Sequence, residues 1–411
     1  ALEALVLEVI ADVAAKGVDH DRLEAVLHQL ELHQREISGD SYPYGLQLIM
    51  QALGCATHYS DPIAVLNLDP VIARLREQIE DPDYIRQLAQ RLLLDNPHRV
   101  TLTLSPDREL STRRQQEEAQ RLAAIKADMD EEQRQQVITL AADLLARQNQ
   151  VDDESILPKV ELSAVPASLP ELEFEDQTVG DLTITRYAQG TNGLVYVQAV
   201  APVPQLDDHS LALLPTYTNL LTELGLGDTD YLETQHRQSA SVGSINAFLS
   251  MRGSVDDEQS LQANMVLSSK ALARHTNEQS RLLRDTLQSV RFDEHARIRD
   301  IVSQQRARRD QSVTGNGHGL AMSAASAGMS PLARLNHQLS GMAGIKSLRV
   351  LDESLRDDQA AADFAERLQV LHNTMLGQPT RLLAIAEKDR LDGVCTQLAQ
   401  DWQALVPGSA G

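Results

Sequence analysis

Cysteine is almost missing from this chain. Cys55 and Cys395 are the only two in 411 residues, which excludes a disulfide framework and a cysteine-based zinc module. Aromatic residues are scarce at 3%, and basic residues are outnumbered: 37 Lys and Arg face 59 Asp and Glu, for a formal net charge of −22. A chain this acidic repels a phosphate backbone, and no basic stripe with interleaved aromatics compensates, so nucleic-acid binding is not expected. No apolar run approaches the roughly 18 to 20 residues that a membrane helix needs, so no membrane partner is expected either. There is no G-x-S-x-G elbow, no Walker-type Gly-Lys-Ser/Thr and no H-x-x-E-H anywhere in the sequence. What remains is 42% apolar residues, enough to build cores for the two to three domains that the length suggests.

Apolar residues at Leu2, Leu5, Val6, Val9, Ile10 and Val13 lie on one helical face, and Gly17 supplies a stop. The chain starts inside this amphipathic pattern without Met, so it is expected to begin within a longer polypeptide. A second helix opens at Asp21 with Glu24 three residues on, its expected buried stripe being Leu23, Val26, Leu27 and Leu30. Asp61-Pro62, Asp69-Pro70 and Asp81-Pro82 each combine an N-cap acceptor with a residue that has no N–H to lose, and predict helix starts. Arg99 to Leu104 alternates apolar and polar residues, the pattern of a strand.

From 110 to 150 the sequence turns charged and Gln-rich around narrow apolar stripes, with a polar break at Asp128 to Glu132. This predicts an antiparallel helical hairpin packed along Leu122/Ile125 and Val137/Ile138/Leu144. Pro158, Pro166 and Pro170 mark a linker over 151–170. A second globular unit begins near Glu171. Alternating runs Leu182 to Tyr187 and Leu194 to Val200 flank Gly190-Thr191-Asn192-Gly193, a β-hairpin signal. A helix through Leu213, Leu214, Leu220 and Leu221 follows, then strand-like sequence within 240–254 and 263–269. Helical patterns cover 270–290 and 293–309. A Gly/Ser/Ala-rich break is expected over 313–331, with helices again to about Leu376.

One internal repeat is visible. Asn96-Pro97-His98-Arg99 before Val100 to Leu104 has a counterpart 282 residues later (378 against 96), Gln378-Pro379-Thr380-Arg381 before Leu382 to Ala386. The same offset maps Asp107-Arg108 onto Asp389-Arg390. The shared order of helix, proline turn, alternating strand, Asp-Arg and helix argues for duplicated α/β domains.

Candidate chemistry is sparse. His28, Glu31 and His33 form H-x-x-E-x-H, but a helical zinc motif needs its histidines four apart, and five places them about 140° apart around the axis. They are expected to be structural. Gly315-Asn316-Gly317-His318-Gly319 follows an Arg-rich helix rather than a strand, so a helix-breaking loop is expected there instead of a phosphate cradle. Cys55 and Cys395 have no neighbouring basic group and are expected as inert thiols. Asp228, Asp230 and Glu233, beside a helix end, are on their own a solvated acidic group.

The run Ser41-Tyr42-Pro43-Tyr44-Gly45 to Asp61-Pro62 resembles the inverzincin (pitrilysin/insulinase-like) metallopeptidases, and within them the presequence protease subfamily. So do Thr191-Asn192-Gly193-Leu194-Val195-Tyr196, the helix Leu213-Leu214-Pro215 through Leu221-Thr222-Glu223-Leu224-Gly225 with Gly227-Asp228 and Asp230-Tyr231, and Gly317-His318. The resemblance implies an α+β fold: duplicated pitrilysin-like domains, each a sheet covered by helices, joined by a helical hairpin. It implies the end of a second domain over 1–107, the hairpin and linker over 108–170, and a third, non-catalytic domain over 171–411. It also implies a zinc endopeptidase parent that degrades unstructured peptides in a closed chamber, with zinc held in a first domain and further substrate contacts in a last one. Because H-x-x-E-H is missing here, and the helix in its place reads Pro215-Thr216-Tyr217-Thr218-Asn219, this piece is expected to bind no zinc, to be inactive alone and to serve as chamber wall and hinge.

Its expected partners are peptides, basic amphipathic ones among them, and the first and last domains of the same chain. Asp228, Asp230 and Glu233 are the expected substrate-binding carboxylates. A bacterial cytoplasmic location is expected, with an organelle matrix as the alternative. The rivals are a non-enzymatic subunit of the same fold, such as a respiratory-complex core subunit, and a helical scaffold that uses the 110–150 hairpin to bind. An exposed apolar patch on the hairpin would favour the scaffold.

Overall fold

The computed structural model describes residues 2–38, 42–168 and 171–403. Ser41, Pro170 and the last eight positions of the 171–411 unit lie outside the described residues. The chain divides into two compact units, 1–7 with 95–171, and 8–94 with 172–411.

Helices come first: α1 (Leu2–Lys16), α2 (His20–Arg35), α3 (Tyr44–Thr57), α4 (Asp69–Ile79) and α5 (Tyr84–Ala89), the last running into a π-helical turn, Gln90–Leu94. Gly17 stops α1 in the left-handed region, at φ 82°. Only Asp69-Pro70 opens a helix directly. Asp61 and Asp81 make Asx turns instead, their Oδ1 atoms accepting from the amides of Ile63 (2.8 Å) and Asp83 (2.9 Å). The expected stripe of α2 is displaced around the helix. Val26 and Leu30 are 58% and 51% exposed, and the buried residues are Ala25, Leu27, His28, Glu31 and Leu32. Polar partners elsewhere in the unit set that rotation.

In the unit of 1–7 and 95–171, α6 (Leu110–Asp128) and α7 (Glu131–Gln148) fall where expected. Asp130 starts α7 with a capping box: its carboxylate accepts from the Gln133 amide at 2.8 Å, and the Gln133 side chain accepts from the Asp130 amide at 3.1 Å. The predicted seam is not closed. Neither helix buries a residue, and Leu122, Ile125, Val137, Ile138 and Leu144 are all exposed. The predicted strand at Arg99 to Leu104 is likewise not formed, and Val100, Leu102 and Leu104 face solvent. An alternating pattern becomes a strand only beside a partner strand, and none is placed there among the described residues.

The other unit holds a six-stranded mixed sheet of β1 (Glu175–Val179), β2 (Leu182–Ala188), β3 (Leu194–Pro202), β4 (Ser244–Gly253), β5 (Leu261–Leu272) and β6 (Arg381–Ala386). The spatial order is β1-β2-β6-β3-β5-β4. Here β6 lies parallel to β2, with Ile184 opposite Leu382, and antiparallel to β3, with Val197 opposite Ala384. The predicted β2–β3 hairpin is therefore corrected. Asn192 and Gly193 do turn the chain, at φ 54° and 81°, but β6 is inserted between the two strands.

The helices of this unit are α8 (Asp208–Leu221), α9 (Tyr231–Ser241), α10 (Thr276–Gln288), α11 (His295–Gly315), α12 (Gly317–Ser326), α13 (Pro331–Leu339), α14 (Met342–Ser354), α15 (Asp358–Leu376) and α16 (Leu391–Trp402). The expected break at 313–331 is mostly helix: α11 runs on to Gly315 and α12 follows across Asn316, because small residues remove bulk without forbidding helix. One continuous core joins Ile184, Val197 and Ala384 of the sheet to Leu283 of α10, Phe364 of α15 and Leu398 of α16. The fold is α+β, a sheet covered by helices.

Candidate functional site

Helix α2 lies against α9 and the end of β5 through a buried ionic centre. Glu31, 4% exposed, accepts from Arg274 through both oxygens (Nη1 to Oε1, 3.0 Å; Nη2 to Oε2, 2.7 Å). It also accepts from Arg76 (Nη2, 2.8 Å) and Arg35 (Nε, 3.1 Å). The Arg274 hydrogen bonds, then those of Arg76 and Arg35, hold the Glu31 carboxyl far below the usual carboxylate range against the opposing effect of burial. Such a carboxylate has no lone pair to spare for a substrate proton.

His28 sits one turn before Glu31, 3% exposed, its ring edge-to-face with His275 at 4.8 Å. Neither nitrogen of His28 meets a partner among the described residues. Burial, then the charges of His275 and Arg274, push its pKa down to about 4. His275 is lowered too, first by burial. Asp21, Glu24 and His236 complete the lining of this open cleft.

Around the centre the docking is polar. Lys270 Nζ meets both Glu36 oxygens at 2.6 Å, Gln29 Nε2 donates to the carbonyls of Ser239 (2.6 Å) and Val242 (2.7 Å), and Asn192 Nδ2 donates to the Arg35 carbonyl (3.1 Å). Leu32 inserts against Leu194 and Leu272. A Cβ on Gly243 would fall 2.7 Å from Leu32 Cδ2, so glycine there makes room for the inserted side chain.

The structure thus separates the H-x-x-E-x-H residues. His28 and Glu31 are buried in this cleft, while His33 is exposed. No group of three or more His, Cys, Asp or Glu suited to a metal ion occurs among the described residues, and the donor set around Glu31 is cationic. These residues do not fit zinc. The partners Arg274 and Lys270 escaped sequence reasoning, since no local spacing links positions 243 and 234 residues apart.

Asp228, Asp230 and Glu233 do lie together, exposed, where a loop enters α9. Asp230 is the N-cap, its Oδ1 accepting from the Glu233 amide at 2.9 Å. Behind them Glu294 accepts from the amides of Gly225 (2.7 Å) and Tyr231 (2.9 Å), which fixes the loop. Helix α8 carries no metal-ligand pair. Its Tyr217 is fully buried, with its hydroxyl 2.9 Å from His372 Nδ1, and burial raises the phenol above its usual range while lowering His372 to about 4.

Residues 104–351 match the protein family described as peptidase M16 (subfamily C) associated. The chain is 26% identical over 350 residues to the mitochondrial presequence protease of Danio rerio, covering 85% of this chain and 34% of that protein. It is 25% identical over 363 residues to presequence protease 1, chloroplastic/mitochondrial, of Arabidopsis thaliana, covering 87% and 34%. The chain thus spans about a third of the length of the curated relatives it matches. A solved peptidase M16 inactive domain from Pseudomonas fluorescens aligns with 57% of this chain and 51% of its own, at 14% identity and a TM-score of 0.37.

Proposed function

The chain belongs to the family associated with subfamily C of the M16 peptidases, and on that footing we propose that it is the non-catalytic central portion of a zinc metalloendopeptidase that degrades unstructured oligopeptides in a closed chamber. The observation that carries this is the family match over 104–351. It is supported by the missing H-x-x-E-H and by an α8 that offers Tyr217 and Pro215 where a zinc helix would offer histidines. In this reading zinc belongs to the parent protein, in a domain beyond this chain. Residues 1–107 are the end of a second peptidase-like domain, 108–170 the hairpin and linker, and 171–411 a third domain that forms chamber wall and hinge.

The partners are peptides, basic amphipathic ones included, drawn to the acidic wall by Asp228, Asp230 and Glu233, together with the first and last domains of the same polypeptide. The location is a bacterial cytoplasm, or an organelle matrix as the relatives' names would have it. Among the described residues no helix is long and apolar enough to cross a membrane.

Two measurements test the reading. The chain alone, supplied with zinc, is expected to cleave none of a panel of unstructured peptides, and zinc-dependent turnover that EDTA abolishes would overturn it. Titration with a basic amphipathic peptide and a charge-reversed partner of equal hydrophobicity should favour the basic one at low salt, with the preference fading as salt rises. The triple variant D228N/D230N/E233Q should weaken it, and because asparagine caps helices as well as aspartate does, α9 keeps its start. Equal, salt-indifferent binding of both peptides would remove the acidic wall from the proposal. The exposed apolar side chains of α6 and α7 favour a second reading, in which the hairpin is an interaction element.

A further inference from the structure

A second cavity, of about 670 Å³, opens where α8, α11, α13, α14 and α15 meet. Its floor is apolar, with Leu213, Leu339 and Ile345 all buried. Its rim carries four cations, Arg308, Arg309, Lys346 and Arg367, and no carboxylate. That is the reverse of the chain as a whole, whose net charge is −22. Neighbouring arginines are neutralised: Arg306 pairs with Asp352 and Asp310, and Arg349 with Asp310. The four rim cations form no ion pair with a carboxylate among the described residues. Arg308 meets only the Gln304 amide oxygen at 3.4 Å, and Arg367 reaches His209 Nε2 at 2.6 Å.

Unpaired cations converging on an apolar floor in so acidic a protein form a site for an anion with an apolar body. Amide side chains of Asn219, Gln305 and Gln338 alternate with that floor. They could serve the N–H and C=O groups of a peptide backbone, and an alkyl chain would leave them unmatched.

We propose that this cavity binds the C-terminal end of a peptide, its free carboxylate among Arg308, Arg309 and Lys346 and its last apolar side chains on Leu213, Leu339 and Ile345. The anion requirement rests on the cavity itself, while the choice of a peptide rests on the peptide-handling reading above. On this assignment the acidic surface and the basic cavity divide the labour, one attracting basic side chains and the other holding a chain end.

The test uses the whole 411-residue chain and an N-terminally labelled Gly-Ser-Leu-Leu peptide, as the free acid and as the C-terminal amide, followed by fluorescence anisotropy. The free acid is expected to bind between about ten- and a hundredfold more tightly than the amide, the worth of charge-assisted hydrogen bonds. The triple variant R308Q/R309Q/K346Q, all at exposed positions, should bind the acid as weakly as the original chain binds the amide. K388Q, which removes a cation outside the cavity, should change nothing. Equal binding of acid and amide, or an acid affinity untouched by the triple variant, overturns the proposal. Dodecanoate displacing the labelled acid more effectively than the unlabelled peptide does would overturn the peptide assignment in favour of an alkyl carboxylate. Acid-selective binding in a chain that ignores basic amphipathic peptides would keep the cavity and remove the acidic wall.

Discussion

Glu31 and Arg274 meet through two parallel hydrogen bonds of 3.0 and 2.7 Å across 243 residues of chain, and two further arginines close on the same carboxylate. The geometry is the fork-to-fork pairing that a guanidinium makes with a carboxylate and a lysine cannot. It joins α2 to the sheet-bearing part of its unit.

Glu31→Gln would remove the only negative charge among Arg274, Arg76 and Arg35 that is buried, leaving three guanidinium groups facing a neutral amide. Breaking a fully buried pair costs about 3–5 kcal/mol. Arg274 is about half exposed, so the expected loss is smaller, about 2–3 kcal/mol by urea denaturation at pH 7. An unchanged midpoint would show that α2 is held by its other contacts alone. Because the folded carboxyl titrates below its unfolded value, the stabilisation from Glu31 is full above about pH 4.5 and declines as pH falls below it.

The histidines act in a milder range. His28 titrates near 4 when folded against 6.5 when free, so the unfolded chain binds the extra proton between those values. Stability should therefore fall as pH drops from 6.5 toward 4, by about 2 kcal/mol at pH 5 from this residue. His28→Leu should flatten the melting temperature between pH 7 and pH 5, with His275 and His372 contributing the slope that remains. Parallel pH profiles in the two proteins would count against the assignment.

Gly243→Ala tests the inserted Leu32. A methyl group there falls within 2.9 Å of both Leu32 methyls, and Leu32 is buried, so overpacking should cost about 1–3 kcal/mol. Leu32→Ala in the same background should recover part of the loss, measured as a double-mutant cycle. Purely additive losses would mean that the two positions do not press on each other.

Core and hairpin leucines should respond oppositely. Leu398→Ala opens space in the middle of the core and should cost about 2–5 kcal/mol. Leu144→Asp, on an exposed face of α7, should stay within about 0.5 kcal/mol of the parent. A large loss at Leu144 would mean that the two arms do pack.

Local patterns were legible and long-range partnerships were not. The alternation in Leu182 to Tyr187 and Leu194 to Val200 identified strands, and the repeat identified β6, yet the Asn192-Gly193 turn suggested a hairpin that β6 interrupts. In the repeat, the elements before the proline turn end 282 residues apart, at Leu94 and Leu376, and the helices after it start at Leu110 and Leu391. Only the second copy becomes a strand, because pattern specifies a strand's faces while neighbours supply its hydrogen bonds. On α2 the hydrophobic period pointed to Val26 and Leu30, whereas Arg274 and Arg76 drew Glu31 and His28 inward. No rule of spacing on one helix could have revealed those arginines. Asp230 shows the reverse case, a residue chosen for its charge whose visible work is to start a helix.

The placement of β6 also sets an order of events during synthesis. Gly193, at the start of β3, donates to Glu387, 194 residues later, so β2 and β3 leave the ribosome long before the strand that lies between them. At about 5–20 residues per second that interval is roughly 10–40 s, during which two strands of apolar sequence have open edges facing each other. Pairing them directly would be a short-range, fast event, and it would have to be undone for β6 to enter. A nascent chain of this kind depends on something that keeps a gap open, and a holdase chaperone that shields strand edges meets that need.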